Sequence, residues 1–117
     1  MGKLILVAGL LALGCGSSDG GPSAPDQCEA FVQTYCGHVG DCIAQVGCDP
    51  TYTRDEEKDS CVTAVRQTIA CGNAKAVGPS YSACMKAASS TACTAFGTAT
   101  QCATPGLPAD CKGVILF

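Results

Sequence analysis

Eleven cysteines in 117 residues leave this chain few ways to fold. They make up about 9% of the sequence, the density of a short disulfide scaffold. Cys28, Cys36, Cys42, Cys48, Cys61, Cys71, Cys84, Cys93, Cys102 and Cys111 follow an isolated Cys15, and no two cysteines are closer than six positions. The chain therefore has no C-x-x-C. Structural zinc sites draw two thiolates from tight C-x(2–4)-C turns, and thioredoxin-like redox centres and c-type haem attachment need C-x-x-C. Those readings lose their support, and structural disulfides are the expectation, with no metal and no cofactor. Disulfides also answer a packing problem. The chain has no tryptophan and only 5% aromatic residues, so burial alone is a weak opponent of chain entropy. Each closed loop adds about 2–4 kcal/mol.

The formal charge is −3 and the pI about 4.8. The seven basic residues do not cluster, which argues against a nucleic-acid partner, since phosphate recognition needs a basic face. The only charge block is Asp55-Glu56-Glu57 with Asp59. It suits the first turn of a helix, where negative charge meets the positive end of the dipole. The oxygen-ligand spacing and central glycine of an EF-hand loop are missing.

Lys3 followed by the apolar run Leu4 to Leu13 has the form of a secretory signal. Ten residues reach about 15 Å as a helix, half the hydrocarbon core of a bilayer, too short for a span. Leu11-Ala12-Leu13-Gly14-Cys15 then resembles a bacterial lipobox. The resemblance implies cleavage between Gly14 and Cys15, a diacylglycerol on the Cys15 thiol and acylation of the new amine. Ala12 stands where that family usually has leucine, and Ala12 with Gly14 also fits ordinary signal peptidase, so simple secretion is the alternative. The cysteine count favours lipidation. Without Cys15 ten cysteines remain, an even number that can pair completely.

These features divide the chain into a signal at 1–14, a lipidated cysteine and flexible tether at 15–27, and a cysteine-rich helical domain at 28–117. Residues 16–27 hold no large apolar side chain and cannot offset their ordering entropy by burial. Asp26 with Glu29 has capping-box spacing, and Cys28, Phe31, Val32, Tyr35, Cys36 and Val39 fall on one helical face, with Gly37 and Gly40 expected to end it. Thr53 with Glu56 marks a second helix start, running to Cys71 and stopped by Gly72; its face is Cys61, Val62, Val65 and Ile69. Pro79 and Ser80 open a third helix through Tyr81, Cys84, Met85 and Ala88, which Ser89-Ser90-Thr91 can end early. No alternating strand pattern is present. The expected fold is mainly α, a small disulfide-rich helical domain.

Ten cysteines allow on the order of a thousand pairings. One local pattern suggests part of the answer. If the second and third helices run antiparallel across the 72–79 turn, Cys71 meets Cys84 and Cys61 meets Cys93, because intervals of ten and nine residues rise about 15 and 13.5 Å. This is similar to the helical hairpins of twin cysteine-motif proteins, which use equal spacings. If the third helix ends early, Cys71–Cys84 survives and Cys93 turns elsewhere, the first helix being one candidate.

Nothing points to catalysis. His38 is the only histidine and, next to Gly37, reads as a cap or surface residue. There is no G-x-S-x-G elbow. The carboxylates available for paired acid–base work, Glu29, Glu56, Glu57 and the aspartates, mostly sit at expected helix starts. The C-terminal Gly113-Val114-Ile115-Leu116-Phe117 is a dense apolar run expected to dock onto the helices, held by Cys111.

Three stretches carry a wider resemblance: Leu13-Gly14-Cys15-Gly16-Ser17-Ser18, Cys28-Glu29-Ala30-Phe31-Val32, and Leu107-Pro108-Ala109-Asp110-Cys111-Lys112-Gly113-Val114. Together they make the chain similar to the cysteine-rich lipoproteins of myxobacterial and related genomes, a family with no assigned activity. The resemblance implies a non-enzymatic lipoprotein of the cell envelope, held in the membrane by its N-terminal lipid. Gly16 after the lipidated cysteine directs such proteins to the outer membrane. The expected role is structural or in contact with an envelope or extracellular protein. A secreted binding module or inhibitor-like scaffold is the alternative if Cys15 is not lipidated.

Overall fold

In the computed structural model, which describes residues 22–103 and 106–117, one long helix organises the remaining elements. Gly14, Cys15 and the signal lie outside the described residues. Helix α1 spans Ala24–Val46. Its cap is Ser23, whose hydroxyl accepts from the Asp26 amide at 3.2 Å, so the expected Asp26–Glu29 box is not formed. Pro25 sits in the first turn, where its missing N–H costs nothing and its φ is already helical. Residues 24–27, expected in the tether, therefore belong to the helix.

The face read from the sequence is the one buried: Cys28, Phe31, Val32, Tyr35, Cys36 and Val39, continued by Cys42 and Ile43. The helix runs straight through Gly37 and Gly40 and stops at Gly47, which is left-handed (φ +76°) and donates its N–H to the Ile43 carbonyl. Gly40 serves close packing. A Cβ there would stand 2.8 Å from the Arg54 carbonyl oxygen and 3.3 Å from the Lys58 nitrogen, so its absence lets the next helix lie directly on α1.

That helix, α2, spans Arg54–Arg66 and starts with the expected reciprocal cap. Thr53 Oγ1 accepts from Glu56 N–H at 3.1 Å, and Glu56 Oε1 accepts from Thr53 N–H at 2.8 Å. Asp55, Glu56 and Glu57 occupy its first turn. The helix ends at Arg66 instead of reaching Cys71. The β-branched Thr68 and Ile69 hold helix poorly, and the chain must double back through a 3₁₀ turn, Cys71–Asn73, to bring Cys71 to α1.

Helix α3, Tyr81–Ala88, follows Pro79 and Ser80 as expected. It ends at Ser89, where the hydroxyls of Ser89, Ser90 and Thr91 donate to the carbonyls of Met85, Lys86 and Ala87. A 3₁₀ turn at Cys93–Phe96 leads into a hairpin of β2 (Gly97–Thr98) and β3 (Gln101–Cys102). After a 3₁₀ turn at Ala109–Cys111, β4 (Ile115–Leu116) pairs antiparallel with β1 (Ala76–Val77), Ala76 facing Leu116 and Val77 facing Ile115. The C-terminal run thus docks, but onto a strand. Val114 is buried, and Gly78 N–H donates to its carbonyl at 2.7 Å. Strands of two residues are too short to show alternation in a sequence.

All ten described cysteines are paired: Cys28–Cys71, Cys36–Cys61, Cys42–Cys93, Cys48–Cys102 and Cys84–Cys111. The expected bridges Cys71–Cys84 and Cys61–Cys93 do not form. The nested-rung geometry exists one hairpin earlier, between α1 and α2. With α1 unbroken, Cys28 and Cys36 face the returning chain at Cys71 and Cys61. Cys42 and Cys48 then take Cys93 and Cys102, because α3 does end at Ser89 and the chain after it turns back to α1. Only Cys84–Cys111 omits α1 and its C-terminal flank. The result is a mainly α, disulfide-rich domain whose bridges place it in an oxidising, extracytoplasmic environment. Among the described residues no helix is long and apolar enough to cross a membrane.

Candidate functional site

The one histidine lies in the middle of α1, half-buried, and not at a helix end. His38 Nε2 stands 2.6 Å from the Thr91 carbonyl oxygen, and a carbonyl only accepts, so Nε2 carries the ring proton. The same nitrogen is 3.4 Å from Cys42 Sγ, one turn along the helix. The edge of Phe96 closes the other side, with ring centroids 6.0 Å apart and planes at 79°. Three parts of the chain build this cluster: α1 supplies His38 and Cys42, the hydroxyl run just past α3 supplies Thr91, and the following turn supplies Cys93 and Phe96. His38 Nε2, Cys42 Sγ and Cys93 Sγ lie within 4.8 Å of one another. With Cys42 and Cys93 joined, neither sulfur is a thiolate, so the trio is not a metal-ligand set in this state.

The carboxylates weighed for acid–base work are scattered. Glu29 pairs with Arg66 at 2.6 Å, tying α1 to α2, and Glu56 is held in the Thr53 cap. Arg54 bonds Asp41 at 2.5 Å and Asp55 at 3.0 Å, and its guanidinium holds the Asp41 carboxyl below the usual range. Only Glu57 is brought against another carboxyl, that of Asp49. Its Oε2 is shielded from water with no donor. Burial first, then the hydrogen bond and charge of Asp49, push the Glu57 pKa up.

Glu57 borders a shallow groove of about 250 Å³ between α1 and α2, lined by Tyr35, Val39, Ile43, Cys61, Ala64 and Val65. A neighbouring hollow of about 260 Å³ continues past Val65 to Ile69 and Leu107. Each is smaller than the roughly 300–1,000 Å³ clefts that enclose small ligands.

A raised carboxyl pKa means the folded chain holds the proton more tightly than the unfolded one. The associated stabilisation is complete below the ordinary carboxylate range and is lost as pH rises through the raised value. Once Glu57 has lost that proton, its charge lies against Asp49 and Glu56 with no donor on Oε2. Glu57→Gln should therefore raise Tm by about 2 °C at pH 7, the size of a surface charge effect, and leave it unchanged at pH 3. Thermal melts at the two pH values check this; an equal gain at both would remove the charge explanation.

No family model matches this chain, and neither a curated protein nor a solved structure shows significant similarity to it. The sequence misses the His38–Thr91 and Glu57–Asp49 contacts for a plain reason. The first joins residues 53 positions apart, and the second depends on how the 47–53 loop returns α2 to α1.

Proposed function

We propose that this chain is a non-enzymatic lipoprotein of the cell envelope, anchored in the outer membrane through a diacylated Cys15, with a structural or protein-contact role. One observation carries the reading. The ten cysteines from Cys28 to Cys111 satisfy one another in five bridges, so no cysteine among the described residues is left over for Cys15. An oxidising compartment punishes a spare thiol, and the lipobox-like Leu13-Gly14-Cys15 offers that thiol a thioether.

Between Cys15 and the Ser23 cap lie only small and polar residues. A chain of seven such residues spans roughly 15 Å root-mean-square, enough to hold the domain next to the headgroups and not far above them. Cys15→Ala should abolish partition into the detergent phase and leave the five bridges intact. Phase separation of cells expressing the two forms, with intact mass of the recovered protein, tests it. A variant that partitions like the wild type would overturn the lipid anchor, and a wild-type pool processed before residue 15 and free in the medium would favour the secreted alternative.

A further inference from the structure

The geometry points to Cys42–Cys93 as a thiol-exchanging bridge, opened by a dithiol that attacks Cys93 and expels Cys42 toward His38. Its two sulfurs are unequal. Cys42 is fully buried, whereas Cys93 is partly exposed on the turn that follows α3. An incoming thiolate therefore reaches Cys93, and the electron pair of the S–S bond leaves on Cys42. A thiolate in that dry position is costly unless a donor is in place. His38 is in place. Its Nε2–H already lies between the Thr91 carbonyl and Cys42 Sγ, at 2.6 and 3.4 Å, and needs only to shift its hydrogen bond toward the new anion. A stabilised leaving thiolate speeds exchange.

The step balances without another reactant. The first thiolate of the dithiol forms a mixed disulfide with Cys93 as the Cys42–Cys93 bond breaks. The second thiol, deprotonated by solvent, displaces Cys93, so the dithiol leaves oxidised and the bridge has gained two electrons. Both cysteines then take protons from water. The Cys93 thiol finds an acceptor in Gln45 Oε1 at 3.8 Å.

The fold tolerates the opening because Cys48–Cys102 joins the same two parts of the chain, the C-terminal part of α1 with its flank and the 93–102 segment. Phe96 also stays buried beside α1. Cys36–Cys61 also joins a buried sulfur to a partly exposed one, but among the described residues no side-chain donor sits on either sulfur. The remaining bridges are differently placed. Cys28–Cys71 and Cys84–Cys111 are buried at both ends. Cys48–Cys102 is the most exposed, yet among the described residues no side-chain donor sits on either sulfur. Exposure alone would make Cys48–Cys102 the first to open; the His38 arrangement reverses that order.

The test treats the oxidised chain with limiting dithiothreitol, quenches by alkylation and maps the label by mass spectrometry. Cys42 and Cys93 should be labelled first. His38→Phe should slow that bridge about tenfold while the rate of Cys48–Cys102, the internal control, stays constant. Glutathione, a monothiol, should leave its adduct on Cys93 of the unmodified protein, a readout that needs no variant. Earlier opening of Cys48–Cys102, adducts on Cys42, or a His38→Phe rate within twofold of wild type would each overturn the proposal.

Discussion

Replacing Cys84 and Cys111 together by alanine should lower the unfolding free energy by about 3.5 kcal/mol. The bridge closes a loop of 27 residues, and no other bridge joins the two elements it connects, α3 and the Ala109–Cys111 turn. Its loss returns the chain entropy of that loop to the unfolded state. It also frees the segment that carries Val114 and the β1–β4 ladder, whose two residue pairs cannot hold a strand alone. Domains of this size are stable by about 5–15 kcal/mol, so the double variant should unfold at a much lower urea midpoint. Urea unfolding followed by far-ultraviolet circular dichroism measures the difference. A loss below about 1 kcal/mol would mean that the C-terminal segment is held by contacts other than this bridge.

The cysteine spacing alone excluded metal and redox motifs built on C-x-x-C, and helical periodicity located the face of α1 that forms the core. Thr53 and Glu56 marked a helix start correctly because a capping box is local chemistry, complete within four residues. The pairings were not legible, and one glycine is the main reason. Gly40 reads as a helix end because an isolated glycine weakens a helix by about 1 kcal/mol. Its actual role is visible only with α2 in place, when the Arg54 carbonyl oxygen occupies the space a Cβ would need. Ending α1 at Gly37 or Gly40 removes Cys42 from the helix and leaves the second and third helices as the only ladder to propose. Once α1 continues to Val46, the rungs reassign themselves.

His38 follows the same logic. Its place beside Gly37 suggested an end or a surface. In an unbroken α1 it faces Thr91 and the Cys42–Cys93 bridge. Neither contact has a sequence signature, since each partner depends on where α3 stops. The hydroxyl run Ser89-Ser90-Thr91 offered that stop only as the weak point of the expected hairpin, and the alternative built on it still kept Cys71–Cys84, which does not form.

The second large effect should come from Gly97→Ala. Gly97 opens β2 with φ +121°, a conformation that alanine adopts only at a cost of about 1–3 kcal/mol. Steric overlap adds to this. A Cβ would run into the Gln101 carbonyl oxygen, would lie 2.8 Å from Cys102 Cα and 2.9 Å from Ala103 N, all backbone atoms of the paired strand or of the residue after it. The hairpin cannot yield easily, because Cys102 is bridged to Cys48 and Phe96, the residue before Gly97, is buried at 1% exposure. A loss of about 3 kcal/mol is expected, as strain and overpacking combine. Gly47→Ala is the matching control. Gly47 is also left-handed, at φ +76°, but nothing lies within 4 Å of a Cβ there, so only the conformational cost of about 1 kcal/mol applies. Urea midpoints of the two variants separate the terms. Equal losses would show that the β2–β3 hairpin opens freely and that Cys48–Cys102 does not hold it in place.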